Sequence, residues 1–163
     1  MTSRQTLTTA RLALRSATPT DSGFVEELLQ DAQVRAFLGG PVPPARLAQA
    51  VRANMTSTPA EDIWIVEART DHAPLGLISL GSHKDGQDIE LSYQFHPQTW
   101  GHGFASEAAR AVLTYAKDIR HLPRVIAETQ TANHRSTRLL TALGMREIAQ
   151  VMRFGQPQTI FAT

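Results

Sequence analysis

The first clear pattern along the chain is the alternation in ARLALRS. Leu12 and Leu14 fall on one side and Arg11 and Arg15 on the other, the period-2 signature of a half-buried strand. The spacing then becomes helical. Phe24, Val25, Leu28 and Leu29 form a stripe behind the capping types Thr20, Asp21 and Ser22, and predict a helix that runs, with a break, to Phe37 and Leu38, where GGPVPP stops it. Pro44 opens a second helix with Leu47, Ala48, Val51 and Met55 on one face, closed by TSTP at 56–59. IWIVEAR (63–69) and LGLISLG (75–81) read as strands joined by the hairpin-length loop TDHAP. In IELSYQF (89–95), Ile89, Leu91, Tyr93 and Phe95 face one way, and Glu90, Ser92 and Gln94 the other. Ala108, Ala111, Val112, Tyr115, Ala116 and Ile119 follow as a helical face, and RVIAETQT (124–131) as a strand. Asn133 suits the N-cap of a short helix carrying Leu139, Leu140 and Leu143, with Gly144 at its end, and the tail reads as two strands around a GQPQ turn. The predicted order is β-α-α-β-β-β-α-β-α-β-β.

Composition narrows the classes. A chain of 163 residues is about one domain, able to bury roughly 70% of its unfolded surface. No repeat, low-complexity stretch or linker divides residues 1–163, so a single domain is expected. Hydrophobic residues make up 42% and charged ones 19%, which suits a globular chain, and no apolar run approaches the roughly 18 residues of a membrane span. The net charge is +1 with arginines spread along the chain, so no nucleic acid or anionic lipid is expected as a partner. Cysteine is absent, which excludes disulfides and thiolate metal sites, and no apolar secretory segment opens the sequence; a cytoplasmic location is the expectation. The six histidines show no metal-ligand spacing, so no metal is expected.

Candidate chemistry centres on QTWGHGFA. A glycine turn between a strand and a helix offers free backbone N–H groups and the positive end of the helix dipole, which favour an anion. No Gly-Lys-Ser/Thr follows, so a Walker A loop is excluded. In a dinucleotide fingerprint Gly101 and Gly103 fit the first two glycines and Glu128 follows at a loosely compatible distance, but Ser106 stands where the third glycine belongs. An alternating strand is also unlike a doubly buried one. Two glycines alone serve any turn that needs positive φ, so the ligand-free turn stays open.

Gln98, Thr99, Trp100, Gly101, His102 and Gly103 match the Gln/Arg-x-x-Gly-x-Gly/Ala signature, and here the sequence resembles the GNAT N-acetyltransferase superfamily. PQTWGHGFASEA looks like the branch that includes ribosomal-protein N-terminal acetyltransferases. A second motif, Asn133, Ser136 and Arg138 followed by Leu143, Gly144 and Met145, is similar to the family's Asn-x-x-Ser-x-Arg and Leu-Gly-Phe. With RLALR and the element order, the resemblance covers nearly the whole chain.

The resemblance implies a mixed α/β (α+β) fold, with a mostly antiparallel, splayed sheet flanked by helices, and acetyl transfer from acetyl-CoA to a primary amine. The pyrophosphate would rest on the N–H groups of Gly101, His102, Gly103, Phe104 and Ala105 within the signature opened by Gln98, with Asn133 also a pantetheine contact. The His102 side chain would face solvent. The Phe95 N–H would polarise the thioester carbonyl. Glu90 is the implied base for the amine, and is otherwise a structural or surface carboxylate. Many members place a tyrosine four residues after the Ser136 position; here that residue is Leu140, and Ser136 is the implied partner of the leaving sulfur. Arg138 would either approach the cofactor's phosphates or form a structural ion pair, the structural role being the preferred reading; Glu107 reads as a structural carboxylate, and Trp64 and Trp100 as packing residues. The acceptor, a protein N-terminus or small-molecule amine, would bind between residues 21–57 and the C-terminal hairpin; the resemblance allows a homodimer, while the sequence itself does not set the oligomeric state. A non-catalytic acyl-CoA-binding module is the alternative, and a dinucleotide-binding domain the third reading.

Overall fold

The computed structural model describes residues 5–163. Eight strands form one sheet: β1 (Leu7–Thr8), β2 (Leu12–Arg15), β3 (Asp62–Ala68), β4 (Pro74–Ser82), β5 (Ile89–Phe95), β6 (Val125–Gln130), β7 (Arg146–Arg153) and β8 (Gln156–Ala162). Four helices flank it: α1 (Ser22–Gln30), α2 (Pro44–Met55), α3 (Phe104–Asp118) and α4 (His134–Ala142). The order across the sheet is β1-β2-β3-β4-β5-β6-β8-β7. Every pairing is antiparallel except β5 with β6. The sequence pattern therefore gives the elements in their order, with the two-residue β1 added ahead of the first.

Apolar burial explains the layers. β3 is buried along Asp62–Glu67 because both faces are covered. Trp64 and Val66 pack with Leu80, Leu91 and the α3 residues Ala108, Val112 and Tyr115, whereas Ile63, Ile65 and Leu77 pack with Val25, Leu28 and Leu29 of α1 and Leu47 and Val51 of α2. Each buried Val, Leu or Ile among them contributes about 1.5–3 kcal/mol when removed from water. The Trp64 indole N–H donates to Gln5 O at 3.1 Å, so its polar edge is satisfied.

Local chemistry departs from the spacing at four places. α1 stops at Gln30 because Asp31 turns extended, with ψ 121°, and its carboxylate accepts from Gln33 N and Val34 N; Phe37 and Leu38 lie in a series of turns beyond it. Ala48 of α2 is exposed while Ala50 packs inward. Ile119 follows the end of α3 and is 54% exposed rather than part of the buried stripe. The last hairpin turns at Phe154 and Gly155, both at positive φ (52° and 71°), and Gln156 and Pro157 belong to β8 instead of the turn.

Gly76 pairs with Phe95 across β4 and β5, and a Cβ added there would lie 2.6 Å from Phe95 Cδ1 and 2.8 Å from Gln94 O. Gly76→Ala is expected to displace the Phe95 ring and to destabilise the protein by about 1–3 kcal/mol, read as a lower denaturant midpoint at unchanged m-value. An unchanged midpoint would show that β5 has slack at this point.

Candidate active site

The one parallel pairing shapes the site. β5 and β6 are in register only at Ile89 with Val125 and Glu90 with Ile126, after which β6 stays with β8 and the two strands separate. His96 N–H donates to Leu75 O at 2.9 Å, which makes Gly76 and Phe95 a non-hydrogen-bonded pair. The Phe95 N–H therefore points away from β4, into the opening. The Phe95 carbonyl lies on the same side and accepts the Trp100 indole N–H at 2.9 Å. A cleft of about 1290 Å³ passes through this opening.

Its two walls differ. Glu90, Ser92 and Gln94 share the sheet face of Leu77, toward α1 and α2, while Leu91 and Tyr93 share that of Leu80 and Ile78, toward α3. On the first face Glu90 is half-buried, with the Glu128 backbone N–H slightly favouring its charged form. Burial holds its carboxyl above the usual carboxylate range; His83 and Lys84 oppose the rise and Glu128 adds to it. The Glu128 carboxylate meets His83 Nε2 and Arg153 Nε, each at 2.6 Å. Burial would raise its pKa, but these bonds and the charges of Lys84 and Arg153 hold it low. Glu128 is thus engaged within the protein, which removes the acidic residue of the dinucleotide reading.

On the second face, Ser136 is buried in the first turn of α4, whose N-cap Asn133 accepts from Ser136 N at 3.3 Å. The Ser136 hydroxyl meets the Tyr93 hydroxyl at 2.5 Å, and burial raises the Tyr93 phenol. Leu140 is buried one turn further on, among Ala127, Met145 and Phe161.

Near the cleft mouth, the chain passes from β5 through a single 3-10 turn to Gly101 and Gly103, at φ 82° and 77°, and Gly103 is the N-cap of α3. These left-handed conformations favour glycine. From Gly101 to Ser106 no backbone N–H has a backbone partner among the described residues; Glu107 N is the first to find one, on Gly103 O at 3.0 Å. Arg11 holds the loop from below. Its Nη1 donates to His102 O at 2.9 Å, its Nε donates to Glu107 at 2.7 Å, and its guanidinium lies 4.5 Å from the Phe104 ring centre. Glu107 also accepts from Thr9 Oγ1 and Arg11 N, which gives it the structural role expected of it.

Glu90, Phe95, Ala105, Asn133 and Ser136 thus line one cleft. Gln98, Gly101, His102, Gly103 and Phe104 do not line it; the first four are exposed beside it, and the His102 ring lies 5.8 Å from that of Phe104. Arg138 forms no ion pair among the described residues, correcting the structural pairing expected of it, and its Nε donates to His134 O at 3.3 Å. Trp100 lines the cleft, with the Arg135 guanidinium 3.8 Å from its ring centre. Among the described residues, no group of three or more His, Asp or Glu could hold a metal ion, and no helix is long and apolar enough to cross a membrane.

Sequence reasoning missed Arg11, His83, Tyr93, Arg135 and the Arg153 contact. Tyr93 alone had a signal, a hydroxyl on an otherwise apolar strand face.

The family model described as the acetyltransferase (GNAT) domain matches residues 11–146. The chain belongs to the GNAT acetyltransferase family. YnaD, an uncharacterized N-acetyltransferase of Bacillus subtilis (strain 168), is 29% identical over 140 residues, which cover 86% of this chain and 82% of that one. Among solved structures, a GNAT-family acetyltransferase from Bacillus anthracis superposes with a TM-score of 0.85 at 23% identity, covering 98% of each chain. A spermidine N-acetyltransferase from Vibrio cholerae, in complex with CoA and spermine, gives 0.80 at 18% identity, covering 95% of this chain and 96% of that one. The GNAT fold and this chain's splayed sheet are the same architecture.

Proposed function

We propose that the protein transfers the acetyl group of acetyl-CoA to a primary amine by direct attack in a ternary complex. The observation that favours this reading is the placement of Glu90 and Ser136 on opposite faces of the gap between β5 and β6. A thioester held in that gap has a carboxylate on the side from which an amine can arrive. It has a hydroxyl on the side toward which sulfur can leave.

The unpartnered N–H groups of Gly101, His102, Gly103, Phe104 and Ala105, at the start of a helix, suit the pyrophosphate. Asn133 and Ala105 line the path inward, and the Phe95 N–H is aimed where a thioester oxygen gains charge as the amine attacks. An aliphatic amine is mostly protonated at neutral pH, so a base is needed. Glu90, five residues before Phe95 on β5 and so about 17 Å away by strand rise, takes that proton through intervening water, and more readily than an exposed glutamate because its carboxyl lies above the usual range. The amine nitrogen bonds to the carbonyl carbon, the tetrahedral centre collapses with loss of the C–S bond, and the electron pair leaves on sulfur near Ser136.

The acceptor enters from the α1 and α2 side, where Phe37, Leu38, Arg46 and Asn54 line the cleft with Phe154 of the C-terminal hairpin. A peptide N-terminus and a small-molecule amine both meet this description. Acetyl-CoA incubated with a panel of short peptides, polyamines and amino acids, read by mass shift, tests the reading: a gain of one acetyl group on an amine and stoichiometric free thiol are expected. Binding of acetyl-CoA with no turnover across the panel would instead favour an acyl-CoA-binding module, a reading to which aliphatic Leu140 gives some support.

A further inference from the structure

We infer that Tyr93 is a positioning residue for the leaving group, holding the Ser136 hydroxyl so that its hydrogen is directed at the departing sulfur. The inference rests on the acetyl-transfer reading above. Tyr93 projects from β5 onto the face toward α3 and α4, where it packs beside Leu140 and Ala127, and its hydroxyl lies 2.5 Å from Ser136 Oγ. Both residues line the cleft. Leu140 fills the α4 position one turn beyond Ser136 with an aliphatic side chain, and the phenol that reaches the serine comes from the neighbouring strand.

A serine in the first turn of a helix ordinarily satisfies itself on nearby backbone. Ser136 does not: among the described residues its hydroxyl has Tyr93 as its partner. When the phenol O–H donates to Ser136 Oγ, the serine's own hydrogen is left to donate elsewhere, and the cleft is the open direction.

Magnitudes decide between a relay and a hydrogen bond. A phenol at about 10 is roughly thirtyfold weaker as an acid than a thiol at about 8.5, and burial weakens it further. Transfer of the proton from Tyr93 through Ser136 to the thiolate is therefore uphill. The pair stabilises the anion that forms on sulfur by donating to it, and the thiolate takes its proton from solvent after release. The proton lost by the amine goes to Glu90, so no proton is created or lost in the step.

Steady-state kinetics of the wild type, Tyr93→Phe, Ser136→Ala and the double variant, each with acetyl-CoA and with its selenium analogue, tests this. Loss of a hydrogen bond to a charged group amounts to roughly tenfold to hundredfold in rate. Tyr93→Phe is expected to lower kcat with acetyl-CoA by that factor at unchanged KM for the donor. The more acidic selenol leaves without assistance, so the deficit should shrink to about twofold or less, and the double variant should be no slower than Ser136→Ala. Tyr93→Phe keeps the ring, and a thermal melt within a few degrees of wild type separates this effect from unfolding. A Tyr93→Phe deficit equal for both donors, or no deficit, overturns the inference while leaving acetyl transfer intact. A wild-type protein that binds acetyl-CoA and acetylates no amine overturns the acetyl-transfer reading and this inference with it.

Discussion

Glu90→Gln is expected to lower kcat/KM by roughly 10²- to 10⁴-fold while raising the melting temperature at neutral pH. Both effects follow from one property. Burial raises the Glu90 carboxyl in the folded protein, so the folded state binds that proton more tightly than the unfolded chain does. The favourable contribution is then present below the unfolded value of about 4.3 and lost as pH rises through the folded one, above which the wild type holds a partly desolvated charge that glutamine lacks. The stability gain of Glu90→Gln should therefore be largest at neutral pH and fade in acid. In parallel, kcat/KM of the wild type should fall on the acid side with the titration of this carboxyl, above the usual glutamate range, and the variant should lack that limb. Wild-type turnover in Glu90→Gln would leave Glu90 as a structural carboxylate.

Gly103→Val is expected to weaken CoA binding by roughly a hundredfold or more, the equivalent of two charge-assisted hydrogen bonds. Gly103 sits at φ 77°, a conformation that a β-branched residue rarely adopts. The space around it is not the obstacle, since an added Cβ would meet Arg11 Nη2 at an ordinary 3.5 Å. The damage should fall on the backbone conformation and on access to the N–H groups at the start of α3. Calorimetric titration with CoA reads it directly, and unchanged affinity would remove the pyrophosphate from this loop.

Local signals carried much of this far. The alternation of IELSYQF sets which β5 side chains face α1 and α2 and which face α3, and QTWGHGFA marks the strand-to-helix turn with its open N–H groups. Asn133 is the N-cap its type and position suggested. Spacing alone failed where a side chain overrides periodicity, as at Asp31, or where a residue adopts a conformation its type disfavours, as Phe154 does at φ 52°. Arg11 with Glu107, and Glu128 with His83 and Arg153, were illegible for another reason. They join residues far apart in the chain, and their meeting depends on sheet order, which places β8 between β6 and β7. Tyr93 reads as a core residue by alternation; only the position of α4 reveals the hydroxyl it meets.

The central claim, that the cradle at Gly101–Ala105 and the gap between β5 and β6 together form an acetyl-CoA site, is tested most directly by titrating the wild-type protein with acetyl-CoA in a calorimeter, with a nicotinamide dinucleotide as competitor. One site per chain, displaced by CoA and unaffected by the dinucleotide, is the predicted result. No heat with acetyl-CoA, or dinucleotide binding that CoA does not displace, would contradict the account.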